Sequence, residues 1–285
     1  MNILKTYKIY IGGAFPRTES GRYYPITDSK GNTLANVCLS SRKDVRNAVV
    51  AARKAFGGWS EKTAFNRGQI LYRIAEMLDG RKAQFIDELV QQGISKSKAE
   101  KEVQQSVDRL VYYAGWADKY QQIASSVNPV SSSHFNFSAL EPMGVIGVIA
   151  PQQNSLLGLI SSVIPAICGG NTVVVAASES HPLCAVTFAE VLHSSDVPGG
   201  VVNILTGKIA ELAPALAAHM DINALVSSGL GELQRTLALS CVENLKRNFS
   251  YSNSDQQGLN FITDLQEVKT TWHPIESIGG ATSSY

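Results

Sequence analysis

Four cysteines and five histidines are the residues of this chain that could most readily act as nucleophiles, metal ligands or proton carriers. The cysteines lie far apart and none has metal-ligand spacing, which predicts buried thiols in a reducing compartment. The histidines are equally dispersed, so we expect no metal site and no histidine with a catalytic role. These residues are Cys38, Cys168, Cys184 and Cys241, and His134, His181, His193, His219 and His273.

The bulk composition excludes several classes of protein. The 285 residues are 44% hydrophobic and 17% charged, as in an ordinary globular protein, and the net charge is +1. A charge so near zero gives no reason to expect nucleic acid or a membrane surface as a partner. No apolar run reaches the ~18–20 residues that cross a membrane, and the first residues lack the layout of a signal peptide. We therefore expect a cytoplasmic protein.

The first half of the chain predicts a layer of helices. Residues 1–40 favour short extended segments, and Ser41-Arg-Lys-Asp44 has the cap-and-acid pattern of a helix start. Apolar residues then recur at helical spacing as far as Phe56, and Gly57-Gly58 is predicted to end that helix. Further helices are predicted over about 65–78, 81–92 and 97–120. Weak alternation over residues 122–139 predicts a protruding two-stranded ribbon.

From Gly144 onward, strand and helix patterns alternate. This alternation predicts a parallel sheet that is covered by helices on both faces. Ligands of such sheets bind at the carboxyl ends of the strands, so a dinucleotide would lie on the loops after Ala150, Ala176, Leu205 and Ser227. The predicted strands cover 145–150, 172–176, 201–205, 224–227 and 246–250, and the predicted helices cover 156–168, 182–194, 209–218 and 231–240.

Six segments in the same order resemble the aldehyde dehydrogenase superfamily, from about residue 7 to residue 250. One such segment would be weak evidence, but six in register are poorly explained by chance. The resemblance implies an α/β fold: a Rossmann-like parallel sheet of the cofactor domain, an N-terminal helical layer and a protruding β-ribbon used for oligomerisation. The segments are Tyr10-Ile-Gly-Gly13, Tyr113-Ala-Gly-Trp-Ala-Asp-Lys119, Glu141–Pro151, Gly170-Asn-Thr-Val-Val-Val175, Pro198-Gly-Gly-Val-Val-Asn203 and Thr206-Gly207.

The resemblance implies that the catalytic groups of the family are lost. In the family a cysteine thiolate attacks the aldehyde, hydride leaves to NAD(P), and a glutamate activates the hydrolytic water. The family's Pro-Trp-Asn-Phe-Pro aligns with residues 151–155, which places the oxyanion-stabilising asparagine on Gln153, beside Asn154. The general-base glutamate falls on Tyr251, which has no carboxylate. The catalytic domain that carries the nucleophile in the family is absent, and Cys241 is better interpreted as a core residue.

The resemblance also implies a weakened cofactor cleft. The family's Lys-Pro-Ser-Glu aligns with residues 176–179, so the ribose-binding lysine is Ala176, while Ser178 and Glu179 remain. Glu179 could still meet a ligand hydroxyl, or it could be a solvated acid that caps a helix. Thr206-Gly207 remains, but the glycine expected two positions later is Ile209.

The turn that offers a helix N-terminus to the pyrophosphate in the family is altered as well. It keeps Gly229, but Leu230 replaces a hydroxyl donor and Gln234 replaces a glycine. These losses together predict that no cofactor is bound, or that NAD(P) binds weakly through the groups that remain.

The end of the chain resembles the family again. Residues 265–275 resemble the last strand of full-length members, which belongs to the oligomerisation domain, so the missing part is internal. Asn244-Leu-Lys-Arg247 without the following Glu-Leu-Gly-Gly, and Val-Lys-Thr-Thr-Trp soon after, most resemble the degenerate C-terminal half-domain of two-module "family 16" aldehyde dehydrogenases. The interface residues that this implies are Val268, Thr270, Trp272 and Ile275.

The sequence therefore predicts a cofactor-type domain at 1–121 and 141–258, oligomerisation strands at 122–140 and 265–276, and a flexible tail at 277–285. Our preferred hypothesis is a non-catalytic subunit that forms a homo-oligomer, or a hetero-oligomer with a full-length aldehyde dehydrogenase onto which its last strand would dock. Two alternatives are a regulatory dinucleotide-binding protein and an enzyme that uses other residues of the cleft. In a further alternative, the last strand folds back on the chain's own ribbon.

Overall fold

The N-terminal third of the protein is a small sheet followed by a layer of helices. The computed structural model describes residues 5–28, 30–252 and 257–275, so the tail predicted at 277–285 lies outside the described residues. The small sheet has the strand order β1-β3-β2. Its strands are β1 (Thr6–Tyr7), β2 (Tyr23–Thr27) and β3 (Thr33–Cys38), and the helices are α1 (Arg42–Ser60), α2 (Ala64–Gly80), α3 (Lys82–Gln91), α4 (Lys96–Trp116) and α5 (Tyr120–Ala124).

Helix α1 corrects the prediction that Gly57-Gly58 ends the first helix. The helix continues through both glycines to Ser60. Trp59 supplies the reason, because its side chain is fully buried and its indole Nε1 donates a hydrogen bond to the carbonyl of Ile167 at 3.0 Å. The burial of a large aromatic ring outweighs the ~1 kcal/mol helix penalty of each glycine.

The protruding ribbon begins later than predicted. Its strands are β4 (Ser126–Asn128) and β5 (His134–Pro142), which pair antiparallel. Residues 122–124 belong to α5 instead, where Tyr120 is fully buried and anchors the turn of helix to the core. The oligomerisation region predicted from residue 122 is thus helical over its first three residues.

A five-stranded parallel sheet with strand order β10-β9-β6-β7-β8 forms the second part of the chain. All of its predicted strands and helices are present, with ends that differ by one or two residues. The strands are β6 (Val145–Ile149), β7 (Thr172–Ala176), β8 (Val202–Leu205), β9 (Ala224–Ser228) and β10 (Arg247–Tyr251), and the helices are α6 (Ser155–Cys168), α7 (Leu183–His193), α8 (Ile209–Ala218) and α9 (Leu233–Val242).

The chain returns from this sheet to the ribbon through one short helix, α10 (Asn260–Thr263), and a last strand, β11 (Gln266–Pro274). Phe261, Ile262 and Leu265 of this return segment are buried in the main hydrophobic core. Strand β11 pairs antiparallel with β5 over nine residues, and the resulting sheet has the order β11-β5-β4. The last strand therefore folds back on the chain's own ribbon, as the alternative predicted, while docking of this strand on another subunit stays a prediction.

Helix α8 is held at its carboxyl end by a buried ammonium group. Lys246 Nζ donates hydrogen bonds to the carbonyls of Ala217 at 2.6 Å and His219 at 2.8 Å. Burial lowers the pKa of Lys246, but the last carbonyls of a helix favour a cation. The lysine therefore satisfies groups that would otherwise be buried without partners.

Replacing Lys246 with methionine should destabilise the protein by about 2–3 kcal/mol, because the carbonyls lose their donors while the apolar packing is kept. Urea unfolding measures this change. Lys98→Met is the matched control, since Lys98 is exposed on α4, and it should change the free energy of unfolding by less than about 0.5 kcal/mol. Equal effects of the two substitutions would contradict the role of Lys246.

Candidate functional site: a dinucleotide-type cleft

The loops after β6 and β7 are joined at the carboxyl edge of the sheet by Gln152. The side-chain Oε1 of Gln152 accepts a hydrogen bond from the backbone amide of Glu179 at 2.8 Å. The backbone carbonyl of Gln152 accepts a second hydrogen bond, from Ser178 Oγ at 3.2 Å. Ser178 is also bonded to the amide of His181 at 3.2 Å. The two loops therefore form one hydrogen-bonded unit, and the hydroxyl of Ser178 is used within it.

Glu179 is engaged by the start of α8. Its carboxylate accepts hydrogen bonds from Lys208 Nζ at 2.8 Å and from the amide of Ile209 at 2.9 Å. Burial opposes its ionisation, but these two bonds outweigh burial and hold the pKa of Glu179 below its ordinary value. An anion at a helix N-terminus is favourable, so Glu179 acts as a cap for α8. A ligand hydroxyl would compete with both partners.

Gly207 forms the tight turn between β8 and α8. Its φ is 155°, and a side chain there would bring a Cβ within 3.1 Å of the amide nitrogen of Ser40. The preceding Thr206 is buried, and its hydroxyl donates to the carbonyl of Cys38 at 2.6 Å. The turn is therefore fixed by packing against the strand end of β3 and leaves no free polar side chain toward the cleft.

The turn after β9 contains Gly229 and Gly231, and one of its polar side chains is bonded within the protein. Gly229 has φ 65° and Gly231 has φ 55°, and both lie in open space. Ser227 Oγ donates to Gln234 Oε1 at 2.7 Å, which ties the strand end to the first turn of α9. Leu230 packs against the neighbouring hydrophobic core. The helix start that would receive a phosphate is thus lined by a leucine and by a glutamine whose Oε1 is bonded to Ser227.

The two oxyanion candidates lie at the start of α6. Gln153 and Asn154 are exposed, and Asn154 adopts a left-handed backbone with φ 49°. Glu102 of α4 caps the start of α6, because its Oε1 accepts hydrogen bonds from the backbone amides of Leu156 at 2.8 Å and Leu157 at 3.2 Å. Burial raises the pKa of Glu102 even though these hydrogen bonds lower it. The anion position at this helix start is therefore occupied by the protein's own carboxyl group.

Tyr251 ends β10 and holds the return segment. Its hydroxyl donates to Asp264 Oδ2 at 3.0 Å, and its ring packs on Phe261 with centroids 4.6 Å apart. Burial, followed by the charge of Asp264, raises its pKa, so it stays protonated at neutral pH. Among the described residues no hydrogen bond joins Tyr251 to Gln153 or Asn154.

Comparison with known proteins identifies the architecture. Residues 16–250 match the model of the aldehyde dehydrogenase family. The chain is 31% identical over 248 residues to the mouse cytosolic 10-formyltetrahydrofolate dehydrogenase. The aligned region covers 85% of this chain and 28% of the mouse protein. It is also 33% identical over 244 residues to an aldehyde dehydrogenase of Aspergillus niger, and this aligned region covers 84% of the chain and 48% of the fungal protein.

The chain belongs to the aldehyde dehydrogenase family. A solved structure that it resembles is the NAD+ complex of aldehyde dehydrogenase from Bacillus cereus, with a TM-score of 0.83 and 27% identity over 86% of this chain and 50% of that chain. It also resembles the C291A mutant of aldehyde dehydrogenase C from Pseudomonas syringae in complex with NAD+ and octanal, with a TM-score of 0.79, 29% identity and coverage of 85% and 49%. The chain spans about half the length of these structures, and less of the mouse protein. The finer likeness to family 16 stays a prediction.

The cysteines of this aldehyde dehydrogenase relative are core residues. All four are buried, as the sequence predicted, and burial raises the pKa of the Cys168 thiol to about 12 and that of Cys241 above its ordinary value. Thiols in this state are poor nucleophiles. No group of three or more histidine, cysteine, aspartate or glutamate residues within the described ranges could hold a metal ion. No helix within those ranges is long and apolar enough to span a bilayer.

The predicted interface residues lie on the sheet β11-β5-β4. Val268, Trp272 and Ile275 are more than half exposed, while Thr270 Oγ1 lies 2.9 Å from Ser138 Oγ across the strand pair. Val268, Thr270 and Trp272 alternate along β11 and therefore share one face of the sheet. Strand β11 is an edge strand of this sheet, so one side of its backbone is not paired within the sheet.

Four residues that shape the cleft were not singled out as site residues from the sequence: Gln152, Lys208, Glu102 and Asp264. Lys208 directly follows Thr206-Gly207, so its position next to the cleft could have been found by inspection. Glu102 gives no local signal, because its partners lie 54 and 55 residues away on another helix. The contacts of Asp264 depend equally on the tertiary fold.

The cap that Glu102 provides for α6 predicts a pH-dependent difference between variants. Burial raises the pKa of Glu102 in the folded state above its unfolded value of about 4.3. Its favourable contribution is therefore complete below that value and is lost as pH rises through the folded pKa. Glu102→Gln keeps an acceptor and does not titrate, so it should gain stability relative to the unsubstituted chain between about pH 4 and pH 8.

Urea unfolding at pH 4, 6 and 8 measures that difference. Glu102→Ala is the matched variant without an acceptor, and it should be about 1–3 kcal/mol less stable than Glu102→Gln at all three pH values. A difference between the glutamine variant and the unsubstituted chain that stays constant with pH would show that Glu102 titrates normally.

Proposed function

We propose that this chain is a non-catalytic aldehyde dehydrogenase-like subunit that assembles with itself or with a full-length aldehyde dehydrogenase. The observation that carries the proposal is the state of Tyr251. At the position of the family's general base stands a phenol that donates to Asp264 and packs on Phe261. The position is used to hold the return segment, which leads directly from the cofactor-type sheet to the oligomerisation-type sheet.

The cofactor cleft supports the same proposal. Glu179 is held by Lys208 and Ile209, and the turn after β9 is closed by the bond between Ser227 and Gln234. A dinucleotide would have to replace these internal bonds without the lysine that is Ala176 here. We therefore propose that the chain binds no cofactor, or binds NAD(P) weakly.

The exposed apolar residues of the sheet β11-β5-β4 support a role in assembly. Trp272 is 57% exposed and Val268 is 67% exposed on one face, while Phe135 and Val127 are exposed on the other. Exposed apolar side chains on a sheet with a free edge are typical of surfaces that pair with another chain. Large aromatic residues such as Trp272 are frequent anchors of interfaces.

A second candidate is a regulatory protein that binds a dinucleotide. It is favoured by the retained positions Ser178, Glu179, Gly207 and Gly229, and by the likeness to a structure solved as an NAD+ complex. It requires Glu179 to exchange its helix cap and its lysine for ligand hydroxyls. Because a carboxylate held by an ammonium group and a backbone amide is already well satisfied, we place this candidate second.

The purified chain should form no NADH when it is mixed with NAD and a panel of aldehydes, because it lacks the base at Tyr251 and its thiols are buried. Absorbance at the NADH wavelength provides the measurement. Cys241→Ala should likewise form no NADH. Turnover that persists through repeated purification and follows the amount of this chain would refute the proposal.

Trp272→Ser should weaken assembly at least tenfold, since the indole is the largest exposed apolar group on β11. Light scattering of the chain alone, and of its mixture with a full-length aldehyde dehydrogenase from the same cell, measures the effect. Phe65→Ser is the matched control, because Phe65 is 65% exposed and belongs to α2 rather than to the sheet. Deleting residues 265–285 is a poor test, because Leu265 is part of the core.

A monomer in both samples, or equal effects of the two substitutions, would contradict the assembly role of this sheet.

A further inference from the structure

A groove lies between the start of α1 and helix α8. Its volume is about 750 Å³. The floor is apolar and is formed by Val45, Pro214, Ala215, Ala218 and Met220. The rim carries four groups that are or can become positively charged, Arg42, Lys43, Arg46 and His219, and one acidic residue, Glu211.

The acidic residue of the rim is already paired, while two of its cations are not. Glu211 accepts a hydrogen bond from Arg22 at 3.1 Å, and Lys43 is paired with Glu19 at 2.6 Å. Arg42 and Arg46 form no ion pair within the described residues. They stand four positions apart on α1, so both guanidinium groups lie on the same side of the helix.

The placement of Arg42 is unfavourable within the protein itself. It occupies the first turn of α1, together with Lys43, and a helix N-terminus favours anions over cations. Burial lowers the pKa of His219. The charge of Asp221 raises this pKa, while the positive charges of Lys246 and Arg46 lower it further. The groove therefore carries two arginines, Arg42 and Arg46, for which the described residues provide no ion pair.

The length of the floor limits what the groove can hold. From Glu211 to Ala218 helix α8 rises by about 10 Å, and the exposed Met220 extends the apolar surface beyond its end. This distance suits an extended alkyl chain of about eight to ten carbons. A planar carboxylate at one end can accept parallel hydrogen bonds from an arginine guanidinium.

We propose that the groove between α1 and α8 binds an amphiphilic monocarboxylate, with its carboxylate on Arg42 and Arg46 and its alkyl chain on Val45, Pro214, Ala218 and Met220. Both parts of the ligand are needed, because partly exposed arginines alone bind carboxylates weakly and an apolar groove alone has little selectivity. The proposal is independent of cofactor binding and of assembly through the sheet β11-β5-β4.

Titration calorimetry with decanoate, kept below its micelle-forming concentration, tests the proposal. Decanoate should bind saturably to one site per chain. Decanol, which lacks the charge, and acetate, which lacks the chain, should each bind at least about tenfold more weakly. The double variant Arg42→Gln with Arg46→Gln should reduce the affinity for decanoate at least about tenfold.

Two further variants make the result specific to the groove. Arg235→Gln removes an exposed arginine of α9 outside the groove, and it should leave decanoate binding unchanged. Ala218→Glu places a carboxylate on the floor and should abolish binding, while circular dichroism reports whether each variant is folded. Equal affinity of decanoate and decanol, equal binding by the double variant and the Arg235 variant, or binding only above the micelle-forming concentration would overturn the proposal.

Discussion

Helix α6 is buried along its whole length except at Ser162, so the polar groups at both of its ends must find partners inside the protein. At its start the partner is Glu102 of α4. At its end, Trp59 Nε1 donates to Ile167 and Arg67 Nε donates to Cys168, at 3.0 and 3.1 Å. These bonds attach the helical layer to both ends of α6, in addition to the contacts that α1 makes with the strands β7 and β8.

The same constraint explains the return segment. Gln266 Nε2 donates to the carbonyl of Gly169 at 3.2 Å, and Asn171 Nδ2 donates to that of Leu265 at 3.0 Å. The segment therefore contacts the loop after α6, while Ile262 fills space against the helix. The return segment thus covers the end of α6 with residues of the same chain.

Sequence patterns predicted the fold well where the pattern is regular. The buried strand Val145–Ile149 and its neighbours follow from apolar runs of strand length between helical segments. Local signals failed where a tertiary contact outweighed them: the glycines before Trp59 do not end α1, and Tyr120 keeps residues 122–124 helical. The losses at Ala176 and Tyr251 were visible by alignment to the family. For Glu179 the sequence left open a helix cap or a ligand contact, but it did not indicate that the capped helix is α8, because a hydrogen bond across two loops leaves no periodic trace.

The pairing of β11 with β5 joins two strands that are made at very different times. Strand β5 ends at Pro142, whose partner Gln266 follows more than 120 residues later. At a synthesis rate of 5–20 residues per second, β5 would leave the ribosome with one edge unpaired for roughly 6–25 s. During that interval Phe135 and Phe137 are held beside each other on a ribbon whose third strand has not yet been made. A neighbouring strand present at that time would compete for the edge, so the order of synthesis itself is a determinant of which chain completes the sheet.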